Sequence, residues 1–426
     1  MIIGIPKELK DKETRVGLIP KWVFRLTEQG HTVYIQKGLA EPAGIADEEY
    51  INVGAKVLET MEDVYNACEM IVKFKDLMPG DLEMPFRKGQ MLFTAFHMAE
   101  GTAKPEQVKR LLEAGITGVS YEVTRYPDGS RALTRPMGEI AGRMAPILGT
   151  QYIQRQYGGS GVSVVPITGV KRARIVILGG GHAGLSAAQV AEGLGAEVVV
   201  FEKSIARLEY LRNILHHTDL RYMDKISFAA EVARADILIN CIYSYPGLEV
   251  PIVTREMVRT MRKGSVIVDL EGEGIIETAK YTTISDPYFI EEGIVHVGVT
   301  NIPAMVPDAA NETFSRYIFP IVEDTANYGL KEACKRNPVL RSGVIMVNGK
   351  ITQKEVADSQ GVPYTPLDVD TMLQYLIGAY RRAQLSNTWA GLPAFYLHLQ
   401  IYGTRGLLCK TYLNAFQILA LYRLLN

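Results

Sequence analysis

Four short stretches place reactive side chains beside apolar, strand-like runs. KETRVGLIP carries Arg15, VKFKDL carries Lys75, LFTAFHMAE carries His97 and VTNIPAMVP carries Asn301. An arginine offers a fork of donors to a carboxylate, a lysine can polarise a carbonyl, and a histidine can move a proton near neutral pH. Each also has a plainer reading. Arg15 could pair within its own loop, Lys75 could pair with Asp76, and His97 could be a satisfied core histidine. A fifth stretch, SVIVDLEGEGIIE at 265–277, runs from β-formers into a loop holding Asp269, Glu271, Glu273 and Glu277. Such a loop can cap a site and bring a carboxylate, Glu271 or Glu273, to it.

The sixth stretch is the most specific. RIVILGGGHAGLSAAQVAEGLGAEVVVFEK holds Gly179, Gly181 and Gly184 in the G-x-G-x-x-G pattern, with His182 and Ala183 between the last two. The pattern follows a strand-like run and opens a small-residue helix, as a dinucleotide-binding turn requires. The helix start offers unpaired N–H groups and a positive dipole end to a pyrophosphate. The next apolar run ends at Glu202, where an acid can hold the adenosine ribose hydroxyls and repel a 2′-phosphate. NAD is therefore the expected cofactor. Lys203 and Arg207 stand close enough to the same end to leave NADP as the alternative.

These residues need strands to carry them to one place. Strand-like runs at Met1–Ile5, Thr32–Gln36, Met70–Phe74 and Met91–Phe96 alternate with helical stretches, the first at Trp22–Gly30. A second alternating set predicts strands at 174–178, 197–201, 236–240, 265–269 and 294–299. Alternation of β and α implies parallel sheets with flanking helices. In such sheets, residues at strand C-terminal ends converge on one crevice. Between the sets, 120–135 reads as a hairpin or long loop with a Pro-Asp-Gly turn, and 136–156 as a long connecting helix. The chain turns helical again over about 312–335. The last sixty or so residues carry apolar side chains at helical spacing, which could pack on the body, lie on a membrane surface or, the favoured reading, form an oligomer contact.

With 426 residues the chain is too long for one ordinary core. A formal net charge of −1 gives no electrostatic case for nucleic acid or an anionic membrane. Four scattered cysteines and seven histidines show no metal-ligand spacing and no disulfide framework. No apolar run reaches the length of a membrane span, and the N-terminus does not read as a signal peptide. A cytoplasmic enzyme is the expectation.

In this order, the motifs resemble the alanine dehydrogenase family, related to the NAD-binding subunit of transhydrogenase. The resemblance covers about residues 1–367, through IGIPKELKDKETRVGLIP, FHMAE, PMGEIAGRMA, LGGGHAG, GSVIVDL, VTNIPAMVP and GVPYTPL. It implies two Rossmann-like, doubly wound α/β domains with parallel sheets. The substrate domain would be discontinuous, 1–135 and 302–367, with an NAD-binding domain at 136–301 and a helical extension at 368–426. It also implies reversible oxidative deamination of a small 2-amino acid to a 2-oxo acid and ammonia, in a homo-oligomer, dimer or hexamer. Arg15 would hold the substrate carboxylate, Lys75 would contact carboxylate or carbonyl, His97 would be the acid/base group, and Asn301 would lie near nicotinamide and substrate. Two departures stand at this site. The family aspartate after VIVD has no counterpart in a loop shorter by about two residues, and Gly138 replaces the usual serine. Both leave open an imine-reducing or opine-forming enzyme joining a 2-oxo acid to an organic amine. An NAD-binding module without catalysis of its own is a further alternative.

Overall fold

The computed structural model describes residues 1–243, 248, 250–271 and 274–367. The predicted C-terminal extension and Glu273 therefore lie outside the described residues. The first half of the chain gives strands β1 (Ile2–Ile5), β2 (Thr32–Gln36), β3 (Lys56–Leu58), β4 (Met70–Val72), β5 (Met91–Thr94) and β6 (Thr117–Ser120). The second set is β7 (Arg174–Leu178), β8 (Glu197–Glu202), β9 (Thr218–Tyr222), β10 (Ile237–Asn240), β11 (Val266–Asp269), β12 (Phe289–Glu291) and β13 (Ile294–Val297). Two late strands, β14 (Val344–Val347) and β15 (Lys350–Ile351), follow.

Among the described residues these form two sheets, both doubly wound. One has the order β15-β14-β6-β5-β4-β1-β2-β3, the other β12-β13-β11-β10-β7-β8-β9. β1 to β6 pair in parallel, as do β7, β8, β9, β10, β11 and β13. Strands β7, β10, β11 and β13 are buried along their whole length, which is why they read as near-continuous apolar runs. Each fully buried valine, leucine or isoleucine contributes about 1.5–3 kcal/mol.

The structure adds what apolar runs do not signal. β9 is TDLRY, a polar strand at a sheet edge, where one side needs no partner. β12, β14 and β15 pair antiparallel and close the opposite edges, so the sheets are mixed rather than purely parallel. The helix expected at 312–335 runs from Pro307 to Arg336, broken at Gly329, whose φ of 72° no helix accommodates. The connecting helix spans Thr134–Tyr152. Its Gly142 packs directly against the phosphate-loop helix, His182–Gly193; a Cβ there would stand 2.2 Å from the Ala183 carbonyl oxygen.

One buried charge cluster knits the first sheet. Lys73, fully buried just past β4, pairs with Glu8 at 3.1 Å and Asp81 at 2.9 Å. Burial pushes the Glu8 carboxyl up, more than the Lys73 charge pulls it down. Two acids around one cation leave the net charge of the cluster negative unless one of them is protonated.

Candidate active site

Both sheets present their strand C-terminal ends to the same cleft. In the first sheet the strand order reverses between β1 and β4, and in the second between β7 and β10. Crevices for ligands open at such reversals. Arg15 follows β1 and Lys75 follows β4, on the two sides of the first reversal. His97 follows β5 and Glu122 follows β6, the next parallel neighbours. On the other sheet, the glycine loop follows β7, Tyr243 follows β10, Glu271 follows β11 and Asn301 follows β13. Parallel register is what turns these distant positions into neighbours.

Arg15 is nearly buried, 4% exposed. Its Nε and Nη2 donate to the two oxygens of Glu13, each at 2.6 Å, and its guanidinium lies 4.1 Å from the centre of the Phe74 ring. The pairing foreseen as the plainer reading is thus present. It occupies one edge of the fork and leaves Nη1, directed towards the Met137 sulfur at 3.9 Å, on the other. A guanidinium can hold one carboxylate on each edge.

Lys75 pairs with Asp76 at 3.3 Å, and Thr94 donates to the Lys75 carbonyl. Lys10 stands beside this pair, 4.0 Å from Asp76. Burial and the adjacent Lys75 charge lower the Lys10 ammonium from its ordinary value. Lys10 lies in the opening stretch but carried no signal of its own.

His97 is the centre of the cluster. Its φ of 54° is left-handed, an uncommon state that surrounding bonds must hold. Glu122 supplies two of them, accepting from the backbone N–H of Phe96 at 3.1 Å and of His97 at 2.8 Å. The ring Nδ1 lies 2.9 Å from Glu100 and 3.0 Å from Glu122. Among the described residues no hydrogen bond engages Nε2, so a ring protonated on Nδ1 keeps a basic lone pair on Nε2. Burial alone would lower the imidazole; the Glu100 hydrogen bond and the Glu122 and Asp76 charges outweigh it and raise it. His97, Glu100 and Glu122 could together offer three ligand atoms to a metal. In this arrangement they are bonded to one another, to Ser120 and to the backbone instead.

From the opposite sheet, Tyr243 hydrogen-bonds to Glu100, and the Glu271 carboxylate acts on Tyr243. Glu271 therefore belongs to the same cluster as His97, two residues past Asp269, whose carboxylate accepts from Asn240 at 2.8 Å and from the Glu271 N–H at 3.0 Å. Asn301, 2% exposed, reaches back to the Asp11 carbonyl at 3.4 Å. Thr14 donates to the Ala304 carbonyl at 2.6 Å. The opening loop is thus seated on the turn that follows β13.

The glycine loop has the shape a pyrophosphate needs. A Cβ on Gly184 would stand 1.8 Å from the Gly179 carbonyl oxygen, whereas one on Gly181 would meet nothing within 4 Å. The third glycine lets the helix pack and the second leaves open approach to the backbone. Glu202 ends β8 and accepts from the N–H groups of Gly180 at 2.9 Å and Ser204 at 2.8 Å, at the mouth of the loop. Arg207 closes over the loop on the carbonyls of Gly180 and Gly181. His182 opens the helix; burial, then the charges of Arg135 and Arg207, lower its imidazole. Lys203 is exposed beside Glu202. Residues and shape both fit a dinucleotide.

Of the expected site residues, Arg15, Lys75, His97, Glu271 and Asn301 gather at the cleft, and Gly179 to Gly184 with Glu202 form the loop opposite. Sequence reasoning passed over Glu13, Glu100, Glu122, Arg131 and Tyr243, and saw Asp76 only as a partner for Lys75. Only the spacing of Glu100, three residues after His97, could have hinted at a partner.

Comparison with known proteins agrees over nearly the whole described chain. The model of the alanine dehydrogenase/PNT N-terminal domain matches residues 4–141, and that of the C-terminal domain residues 145–354. The alanine dehydrogenase of Methanococcus maripaludis is 40% identical over 373 residues, 86% of this chain and 99% of that protein. The Bacillus subtilis enzyme of the same name is 37% identical, over 86% of this chain and 97% of its own. Among solved structures, an L-alanine dehydrogenase superposes with a TM-score of 0.78 at 37% identity, covering 84% of this chain and 99% of the other. A transhydrogenase from Sinorhizobium meliloti shares the fold, with a TM-score of 0.69 at 23% identity over 83% and 99%.

Proposed function

This chain belongs to the alanine dehydrogenase/PNT family, and on that premise we propose how its own residues carry out the reaction of an NAD-dependent amino-acid dehydrogenase. The reaction is reversible oxidative deamination: a small 2-amino acid, water and NAD give a 2-oxo acid, ammonium, NADH and a proton. The observation that carries the reading is the convergence of Arg15, Lys75 and His97 on one cleft, facing the glycine loop of the other sheet.

Bound NAD supplies a hydride acceptor at the substrate Cα, and NADH a donor in reverse. The backbone of Gly179, Gly181, His182, Ala183 and Gly184 would hold its phosphates, Glu202 its ribose hydroxyls, with Lys203 and Asn301 at its two ends. Arg15 would bind the substrate carboxylate through Nη1, its other edge already fixed by Glu13. Lys75 would face the carboxylate or carbonyl oxygen and favour its developing charge. His97 Nε2 would take a proton from the water that attacks the imine carbon, and return it when ammonia forms. Arg15 need only hold the substrate, because hydride transfer depends first on alignment. Glu271 would stand in for the family aspartate; Glu273 is its rival for that role.

The same support favours a substrate domain of residues 1–135 and 302–367 and an NAD domain of residues 136–301, the two parts each built on one sheet. No helix among the described residues is long and apolar enough to cross a membrane. A cytoplasmic homo-oligomer completes the proposal, testable by sedimentation.

NADH oxidation by the purified protein, with 2-oxo acids and ammonia, tests the reaction. Turnover of a small 2-oxo acid with ammonia alone is expected. One observation favours the opine-type alternative: a Cβ on Gly138 would meet nothing within 4 Å, so there is room beside the cleft where the family usually has a side chain. Turnover only with an organic amine would establish that alternative instead.

A further inference from the structure

Two carboxylates approach Nδ1 of His97, and they are not equivalent. Glu122 is committed to the backbone: it accepts from the N–H groups of Phe96 and His97 and from the Ser120 hydroxyl. Its position follows from β6 and fixes the left-handed turn. Glu100 has a different set of partners. Among the described residues its carboxylate meets only side chains: His97 at 2.9 Å, Arg131 at 3.8 Å and the Tyr243 hydroxyl.

We propose that Glu100 is a positioning residue for His97: its carboxylate holds the ring by Nδ1, keeps Nε2 turned to the cleft, and ties the ring to the opposite sheet through Tyr243. The proposal deepens the reading of His97 as acid/base group and rests on it.

The geometry supplies the argument in three steps. First, an imidazole can rotate about its Cβ–Cγ bond, and a partner on Nδ1 removes that freedom and selects the tautomer. Glu122 lies 3.0 Å from Nδ1 but its oxygens already accept from three other donors, whereas the ring Nδ1 is hydrogen-bonded to Glu100 at 2.9 Å, so Glu100 is the acceptor that takes this bond. Second, Glu100 is itself held. Arg131 donates to the Glu122 carbonyl at 3.1 Å, stacks 5.6 Å from the centre of the Tyr243 ring, and faces Glu100. A guanidinium on one side and a phenol on the other leave the carboxylate few orientations. Third, Tyr243 follows β10 of the nucleotide-binding sheet, whereas His97 follows β5 of the other. The orientation of the ring is therefore completed by a group from the far wall of the cleft.

Every charged group facing the ring contributes to its protonation. Glu100, Glu122 and Asp76 favour the imidazolium and Lys75 opposes it, with Lys10 behind the Lys75–Asp76 pair and Arg131 and Tyr243 behind Glu100. Replacing Glu100 by glutamine keeps an acceptor of the same shape and removes one negative charge. The imidazolium then loses support, and His97 becomes neutral at lower pH.

The test uses the full chain and two readouts. Diethyl pyrocarbonate acylates only neutral imidazole, so its rate at His97 against pH, resolved by peptide mass spectrometry, reports the ring without need of turnover. In Glu100→Gln the midpoint is expected to fall by roughly one in pH, the scale of one neighbouring charge. The acid limb of kcat/KM for amino-acid oxidation is expected to fall with it. Glu100→Ala removes the acceptor outright and is expected to shift the midpoint the same way while also lowering kcat, since the ring is then free to rotate. An unmoved midpoint in both variants would overturn the role of Glu100. A moved midpoint with an unmoved limb would instead overturn His97 as the acid/base group, which separates the two failures.

Discussion

At the scale of single residues, His97 carries the sharpest expectations. It sits in a left-handed backbone state, partly buried, with Nδ1 held by carboxylates. His97→Gln keeps size and polarity and removes the titrating group. Turnover is expected to fall about 10²–10⁴-fold, with NADH binding unchanged by fluorescence titration. The pH profile follows from the net balance at the ring. On the proposed acid/base role, oxidation needs neutral His97, and the surrounding acids raise its imidazole. The acid limb of kcat/KM should therefore lie above the ordinary histidine value, and rates measured across that range would show it. The same shift has a stability consequence. A histidine raised in the folded state stabilises it below the unfolded value, and that contribution is lost as pH rises through the folded value. What sequence made legible here was residue type next to a strand end: Lys75 and His97 each stand three residues past a strand, whereas Arg15 lies ten residues past β1 in irregular chain. The roles of Glu100 and Tyr243 were not legible, although Tyr243 stands three residues past β10, because their meaning depends on a contact between two sheets that no local pattern encodes.

At the scale of elements, the site is a product of parallel pairing. β4, β5 and β6 lie side by side in register, so residues two or three positions past each strand meet. The phosphate loop shows how little tolerance that leaves. Gly184→Ala would press a methyl onto the Gly179 carbonyl, and the helix would have to move. Loss of NADH binding at least tenfold, about 1.4 kcal/mol, is expected by titration, with the rest of the fold retained. Gly138→Ser makes the opposite case, since a side chain there meets open space. It should leave the melting point unchanged or slightly raised, as a helical glycine is costly, and should narrow the range of amines accepted if the space is used. The buried Lys73 cluster is an element-level staple between the chain after β1, the end of β4 and the turn at Asp81. Lys73→Met would strand two carboxylates in the core and cost roughly 3–5 kcal/mol in chemical denaturation. Glu8 is already raised, so part of that loss should return as pH falls through its folded value and the acid becomes neutral. Strong apolar runs made β7, β10, β11 and β13 readable. β9 and the edge strands β12 and β15 were not, because edge strands are short or polar by necessity.

At the scale of the whole molecule, the two sheets communicate through few pieces of chain. The loop at 11–16 binds Asn301, Ala304 and Asn311, and the helix at Thr134–Tyr152 lies against the phosphate-loop helix. The first sheet is assembled from both ends of the described chain: β14 pairs with β6, and β15 extends it. The second is complete at β13. Synthesis on the ribosome runs in one direction, and this topology makes that direction matter. Once residue 297 has emerged, every strand of the nucleotide-binding sheet is available, while β6 still waits as an open edge for a partner nearly fifty positions downstream. The order of maturation is then the reverse of the order of synthesis: the later-made body can settle first, and the earlier one stays unfinished. Nascent chains arrested at a length at which residue 297 has just cleared the ribosome should resist protease across 174–297 and remain cleavable across 1–120, and only release of β14 should protect the rest.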